Sequence, residues 1–348
     1  MSEKSKKSGN QPKPLDPNGD VILVVGIESL EKLGKFLVSS KALSLASPVF
    51  KKLFSKSCLE GSKLEETKCF EVPLPEDDPE VMEIILRAMH FLDPIVDEDV
   101  YLDSGLLADI TIHANKYDCV KPLSSWVSKW LNKPRLRSSE EMKALDYGHM
   151  ILASYVFREE DSFAFFSSQA IRSMIPKDFA IWEDTDLLPL LLLPAKIRDS
   201  LKSGIEELMD QMFERLQTAE TQLRMHKGGH LMDVGYCGKC EKTYLDNPKK
   251  CPSCRKMRLG TKYCSNDSRV SLYSAELKRA GLRPTSPKQM RARSATALYE
   301  RISSLHSSVN HYCQAGMGCP LATELRLCSK DCKELLMKVP SLELADFR

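Results

Sequence analysis

Asp20-Val-Ile-Leu-Val-Val-Gly26 and Leu43-Ser-Leu-Ala-Ser-Pro-Val-Phe50 decide how the first third of this chain folds. The first stretch is β-branched and uninterrupted and closes on glycine, the pattern of a buried strand. In the second, Ser47 stands at a cap position and Pro48 at the first helical position, and Val49, Phe50, Leu53 and Phe54 supply the apolar face of a short helix. Between them Lys35-Phe-Leu-Val38 reads as a second strand, and further on Cys69-Phe-Glu-Val-Pro-Leu74 alternates like a third. Asp78-Pro-Glu opens a helix carrying Val81, Ile84, Ile85 and Met89, and Leu106 to Leu131 forms a helical hairpin ending at Trp130. Strands first, then helices, over about 115 residues spell an α+β domain. Leu43, Phe50, Leu53, Leu107 and Tyr117 are its expected core, while His90 and His113 read as core-edge histidines.

Taken in order with Phe36-Leu-Val38, Glu76-Asp-Asp-Pro-Glu80, Met89-His90, Leu107-Ala-Asp-Ile110 and Ala114-Asn-Lys-Tyr-Asp-Cys119, these segments resemble the BTB/POZ domain, most closely its fungal branch. The resemblance covers residues 18–132 and implies docking of protein partners, a second copy of the chain among them. Many members carry a histidine-basic pair where this chain has Ser39-Ser40, although Asp20 matches the acid of their charged pocket. This departure argues against co-repressor recruitment. Members that swap a strand to dimerise have an amphipathic helix before the first strand, and no such periodicity is found here. Members that bind a cullin scaffold place an apolar-x-Glu triplet just after the Pro-x-Phe helix. Cys58, Leu59 and Glu60 fit that triplet, with Cys58 as the apolar member, and so imply a partner-binding site for a cullin ubiquitin ligase.

Around this domain, 348 residues and 39.3 kDa leave room for one or two further folding units. Fifty basic against 48 acidic residues give +2, so no whole-chain field selects nucleic acid or an anionic membrane. Charge is local instead: Glu60 to Asp99 holds 13 acidic and 3 basic residues, and Cys237 to Lys262 holds 8 basic and 2 acidic. The acids at 76–80 and 97–99 read as a solvated rim or as a surface for a basic partner. Residues 1–17 are polar, broken by Pro12, Pro14 and Pro17, and are expected to be a disordered lead-in with no signal peptide. The most apolar run, Leu187 to Ala195, is about half the ~20 residues a spanning helix needs. No membrane is expected as a partner, and the expected location is the cytoplasm and/or nucleus. In such a reducing compartment, twelve cysteines read as metal ligands or core thiols. Cys58, Cys69 and Cys119 read as small buried hydrophobes.

Asn132 to Ser139 reads as a linker, and residues 140–226 as a helical region. Its apolar positions are Met142, Leu145, His149, Leu152, Val156, Phe163, Phe166 and Ala170, then Ile197, Leu201, Ile205, Leu208, Met212 and Leu216 on one long stripe. Residues 227–340 form a Cys-rich module. Cys237-Gly-Lys-Cys240 and Cys251-Pro-Ser-Cys254 are two C-x-x-C turns separated by ten residues, the spacing of a tetrahedral cage of four thiolates for structural zinc. Such a cage has no open position, which argues against catalysis. A candidate second site draws on His311, Cys313, Cys319, Cys328 and Cys332, but Leu321, Leu325, Cys328, Cys332 and Leu335 equally form an apolar helical stripe. Basic Lys278 to Arg293, with Pro284 and Pro287, reads as an exposed loop.

The chain has no phosphate loop, nucleophile elbow or framed carboxylate pair, and no enzyme is expected. The expected fold class is α+β: a BTB/POZ-like domain, a helical region and a small zinc-stabilised module. The expected function is an intracellular adaptor, with a cullin ligase substrate receptor as its sharpest form. The competing expectation is a nuclear regulator that binds nucleic acid through the basic zinc module.

Overall fold

A computed structural model describes residues 11–347 except 28–31, 67–68, 95–102, 133–141, 183–191, 246–247, 256–257, 284–290 and 309–312. The acids at 97–99, the linker from 133 onward, Pro284, Pro287 and His311 lie outside the described residues. The chain divides into two compact units, one comprising Met1–Ser167, Ala180–Arg198 and Leu342–Arg348, the other Ser168–Phe179 and Asp199–Ser341. Among the described residues it is a mixed helix and sheet protein, predominantly helical, with two small sheets.

In the first unit, β1 (Lys13–Pro14), β2 (Val21–Ile27), β3 (Lys32–Val38) and β4 (Phe70–Leu74) form a sheet in the order β1-β3-β2-β4. β2 runs antiparallel to β3 and parallel to β4, with Leu23 opposite both Phe36 and Val72. Val21, Leu23 and Val25 are fully buried on one face, while Ile22 and Val24 on the other are half-buried. Residues 11–17 depart from the expected disordered lead-in, because Lys13–Pro14 pairs in parallel with Phe36 and Leu37 and buries Leu15 beside them. Pro14 is tolerated because β1 is an edge strand, where a missing N–H leaves no ladder bond broken.

Helices α1 (Ser40–Ala46), α2 (Pro48–Leu53), α3 (Leu59–Glu66), α4 (Pro79–Met89), α5 (Ser104–Lys116) and α6 (Val120–Asn132) complete the first domain. α4 is its centre, with Val81, Met82, Ile84, Ile85, Leu86, Ala88 and Met89 all buried. Of the expected core, Leu43, Phe50, Leu107 and Tyr117 are buried and Leu53 is half-buried. Ser47 caps α2 by accepting from Phe50 N–H, and its hydroxyl donates to the Tyr117 carbonyl at 2.5 Å. Phe50 stacks on Tyr117 with ring centroids 4.7 Å apart. Cys119 is buried as expected, but Cys58 is half-buried and Cys69, beside the edge of β4, is exposed. α7 (Ala144–Val156) and the start of α8 (Glu160–Ser173) belong to the same unit, and the C-terminal turn docks here as well. Its Phe347 meets the edge of Phe163 and lies under the Lys196 ammonium.

The second unit contains α9 (Phe179–Trp182) only at its first residue and most of the long α10 (Ala195–Met225). Its remaining elements are β5 (His230–Cys237), β6 (Lys242–Tyr244), β7 (Gly260–Cys264), α11 (Asn266–Arg279), α12 (Ala295–Ser308) and α13 (Pro320–Met337). Its core joins Ile205, Met212 and Leu216 of α10 to Tyr273, Leu298, Ile302, Leu321 and Leu325. The Tyr273 hydroxyl donates to the Leu216 carbonyl at 2.9 Å. The contact boundary thus differs from the one expected between 226 and 227, since the apolar stripe of α10 packs with the helices of the Cys-rich end. Of Lys278 to Arg293, expected as an exposed loop, residues 284–290 lie outside the described residues, and the described ends are held by neighbours. Arg283 pairs with Glu220, Arg291 reaches Asp210 at 2.8 Å, and Leu282 is buried.

Candidate metal centre and interaction surfaces

β5 is the spine of the second sheet, flanked by β6 and β7 in the order β6-β5-β7. Cys237 ends β5 opposite Lys242, so the first C-x-x-C forms the turn of the β5–β6 hairpin. The second C-x-x-C lies between β6 and β7. In each, the residue after the second cysteine takes a left-handed backbone, Glu241 at φ 52° and Arg255 at φ 52°. This is the turn that swings two thiols to one side, and both knuckles make it with residues that carry a Cβ.

The outcome is that the Sγ atoms of Cys237, Cys240, Cys251 and Cys254 all lie within 4.8 Å of one another, in a group that could hold a metal ion. Cys237 and Cys254 Sγ are 3.7 Å apart. Tetrahedral Zn–S bonds of about 2.3 Å imply S···S of about 3.8 Å, whereas a disulfide needs about 2.05 Å. Cys237 and Cys251 are buried, and Cys240 and Cys254 half-buried. The Cys254 thiol, with burial and the other two cysteines, pushes the Cys240 thiol up to about 12. Cys251 is lowered to about 6 despite burial, because the Tyr244 hydroxyl at 3.4 Å and nearby backbone N–H groups favour its thiolate. A dication held by these four sulfurs would supply the charge that lets the remaining thiols ionise as well.

The candidate second site is rearranged. Cys313 and Cys319 come together with Cys264, their three Sγ atoms within 4.8 Å and all three residues buried. Cys328 and Cys332 do not join them: they are fully exposure-free on α13, in the stripe with Leu321 and Leu325, and Cys328 lies against Tyr273. Burial pushes Cys328 up to about 11 and Cys332 up to about 12, as expected of core thiols. Cys264 is one of the leftover cysteines of the sequence but stands outside the candidate set of His311, Cys313, Cys319, Cys328 and Cys332, because no close neighbour shares its spacing. Only the pairing of β7 with β5 carries it to the cluster.

In the first unit, the triplet Cys58-Leu59-Glu60 stands where α3 begins. Leu59 is 79% exposed, and Cys58 and Glu60 are half-buried. Gly61 fixes this placement, since a Cβ there would come within 1.9 Å of the Ser55 carbonyl oxygen. The Asp20 carboxylate is taken up internally, accepting from Ser40 N–H at 2.7 Å and Ser40 Oγ at 2.6 Å, while Ser39 caps α1. His90 Nε2 accepts from Ser39 N–H at 3.0 Å and its Nδ1 lies 2.7 Å from the Leu86 carbonyl, so it ties the start of α1 to α4. The acidic stretch divides by role. Asp78 caps α4; Asp77 is buried and bonded by Lys116 Nζ at 2.7 Å and by the Tyr117 hydroxyl at 2.5 Å, with His113 Nε2 3.5 Å away. Glu76 is exposed, with Lys116 Nζ 3.8 Å away. A groove of about 990 Å³ opens within this unit, walled by Leu45, Pro48, Val120, Tyr155, Leu344 and Phe347.

Sheet topology, the capped α1–α2 pair and the buried face of α4 define a small α+β domain followed by helices and a cysteine cluster. Residues 16–120 match the family model of the BTB/POZ domain. The chain therefore carries a BTB/POZ domain, a module through which proteins bind one another and dimerise, and which is not typically enzymatic. No curated protein and no solved structure matches the chain. Among the described residues, no helix is long and apolar enough to cross a membrane.

Proposed function

We propose that the chain is an adaptor without catalytic activity, in which the BTB/POZ domain docks one protein and a zinc-held C-terminal module binds another. A cullin scaffold is the proposed first partner, which makes the chain a substrate receptor of a ubiquitin ligase. The observation that carries this reading is Leu59: an apolar side chain 79% exposed, at a helix start fixed by Gly61, with Glu60 beside it. An isolated exposed leucine costs little when free and contributes when a partner covers it. Zinc in the Cys237, Cys240, Cys251 and Cys254 cage is proposed from its four thiolates and short S···S separation. The reading includes the fungal branch of the family and a reducing location, cytoplasm and/or nucleus, where twelve cysteines without a disulfide are at home.

Replacing Leu59 and Glu60 together by Ala tests it. Co-purification of the cullin should be lost, about 1–3 kcal/mol of binding, with the domain still folded. Wild-type chain that recovers no cullin at native concentration sinks the ligase reading. Converting Ser39 and Ser40 to His and Arg should leave the contact intact. A second reading rests on Lys239, Lys242, Lys249, Lys250, Arg255 and Arg258, all exposed around the knuckles, with Lys262 over the Tyr236 ring. It is a nucleic-acid surface, and retention of the full chain on single-stranded DNA that falls steeply with salt would favour it.

A further inference from the structure

We propose that Cys264, Cys313 and Cys319 hold a second divalent metal ion, zinc by the softness of its ligands, at the opposite end of β5 from the four-cysteine cage. Three separate pieces of chain deliver these thiols. Cys264 ends β7 opposite His230, Cys313 forms an antiparallel bridge with Met232, and Cys319 is the N-terminal cap of α13. Gln314 N–H donates to the Leu231 carbonyl at 2.9 Å and Gln314 Nε2 to Asp233 at 2.8 Å, which pins the Cys313 segment to β5. Cys264 and Cys319 Sγ are 3.6 Å apart, the separation of co-ligands of one tetrahedral ion and far beyond a disulfide.

A second observation points independently to negative charge at this place. Arg269 is fully buried, with a relative exposure of 0%. Its Nε donates to Cys264 Sγ at 3.1 Å, and its other donors reach the carbonyls of Cys264 at 2.6 Å, His226 at 3.3 Å and Gly228. Among the described residues its partners are a sulfur, carbonyl oxygens and the His226 ring nitrogen, with no carboxylate. A buried guanidinium without a counter-charge is strongly unfavourable. Three thiolates around a dication carry one net negative charge, and Arg269 neutralises it. On binding, each thiol releases its proton to water as its sulfur bonds the ion. Cys319 also lies at the N-terminus of an 18-residue helix, where a thiolate is favoured.

The two sites lie roughly 20–25 Å apart along β5, from the rise per residue of a strand. The first closes the hairpin end of the sheet; the second ties the sheet to α13. The metal clamp thereby joins a sheet too small to fold alone to the helices of the same unit.

Native mass spectrometry of the full chain purified without chelator, with zinc counted, tests the proposal. Two zinc ions per chain are expected, falling to one in Cys319→Ser and in Cys264→Ser and staying at two in Cys328→Ala. A wild-type chain with one zinc is resolved by Cys251→Ser: zinc retained there upholds the second site and removes the first, whereas zinc lost overturns the second. Should the serine variants not fold, wild-type protein still decides. Chelator should raise alkylation of Cys264, Cys313 and Cys319 at least tenfold and leave Cys328 and Cys332 protected; no chelator effect at those three overturns the proposal. Cobalt substitution should add the charge-transfer absorption of three thiolates to that of four.

Discussion

The two small sheets of this protein are held by different physics. In the BTB/POZ domain, β2 and β3 bury Val21, Leu23, Val25, Phe36 and Val38 at 0–3% exposure, and α4 buries seven of its eleven residues. In the Cys-rich end, β5 offers only Val234, Gly235 and Cys237 to the interior, and Leu231 at 40% and Tyr263 at 56% exposure stay outside. A three-stranded sheet with so little apolar area cannot offset the entropy of ordering its backbone. In the proposed zinc reading, crosslinks through metal supply what the core does not, at the two places where cysteine thiols cluster within 4.8 Å. The first sheet thus depends on shape and burial, and the second, with zinc in its thiol clusters as proposed, would depend on charge and protonation.

The contrast predicts its own breaking points. The largest effect belongs to Cys251→Ser, which should lose the zinc of the four-cysteine cage and with it the amide-exchange protection of β5 and β6, a structural zinc contributing about 10–16 kcal/mol. The BTB/POZ domain should keep its exchange pattern, and loss of protection in β2 or β3 would break the comparison. Phe50→Ala attacks the other side: a fully buried ring stacked on Tyr117 is removed, and denaturant unfolding should show the first unit weakened by about 3–5 kcal/mol with zinc content unchanged. Asp77→Asn comes next, because it takes the charge from the acceptor of Lys116 and Tyr117, and should cost about 1–3 kcal/mol by the same measurement.

Acid and alkali should separate the two regions. Burial pushes the Cys119 thiol up to about 12, and burial with the Asp77 hydrogen bond raises Tyr117 further. The folded state keeps these protons while the unfolded chain gives up the thiol proton from about pH 9. Their contribution is therefore complete below about pH 9 and is lost as pH rises through about 12, at up to about 1.4 kcal/mol per pH unit for each group. Thermal melting of the first unit should show that alkaline fall, and Cys119→Ala should flatten part of it. Zinc cages fail in the other direction, since protonation of thiolates expels the ion as pH falls. The smallest predicted effect sharpens the comparison at one torsion. Arg255→Gly relieves a left-handed backbone in the second knuckle and should raise the melting of the second unit by the equivalent of about 0.5–1 kcal/mol, without altering zinc stoichiometry.

Much of this was legible in the residues themselves. Strand periodicity, the Ser47-Pro48 helix start, the α4 stripe and two C-x-x-C turns are local signals, because a strand, a cap or a knuckle is fixed by residues within a few positions. The match of residues 16–120 to the BTB/POZ family model agrees with the segments that suggested it. What tertiary structure alone decided depends on residues far apart in the chain. Asp77, one acid in an acidic run, is a buried acceptor because Lys116 and Tyr117 arrive from the end of α5. Lys13–Pro14, read as part of a disordered lead-in, is a strand because β3 leaves an open edge. Cys264 and Cys319 are 55 residues apart and 3.6 Å from sulfur to sulfur, while Cys328 and Cys332, spaced like ligands, point into a helical core. Spacing along the chain determines which thiols share a turn, and only the pairing of β7 with β5 and the placement of α13 determine which thiols share a point in space.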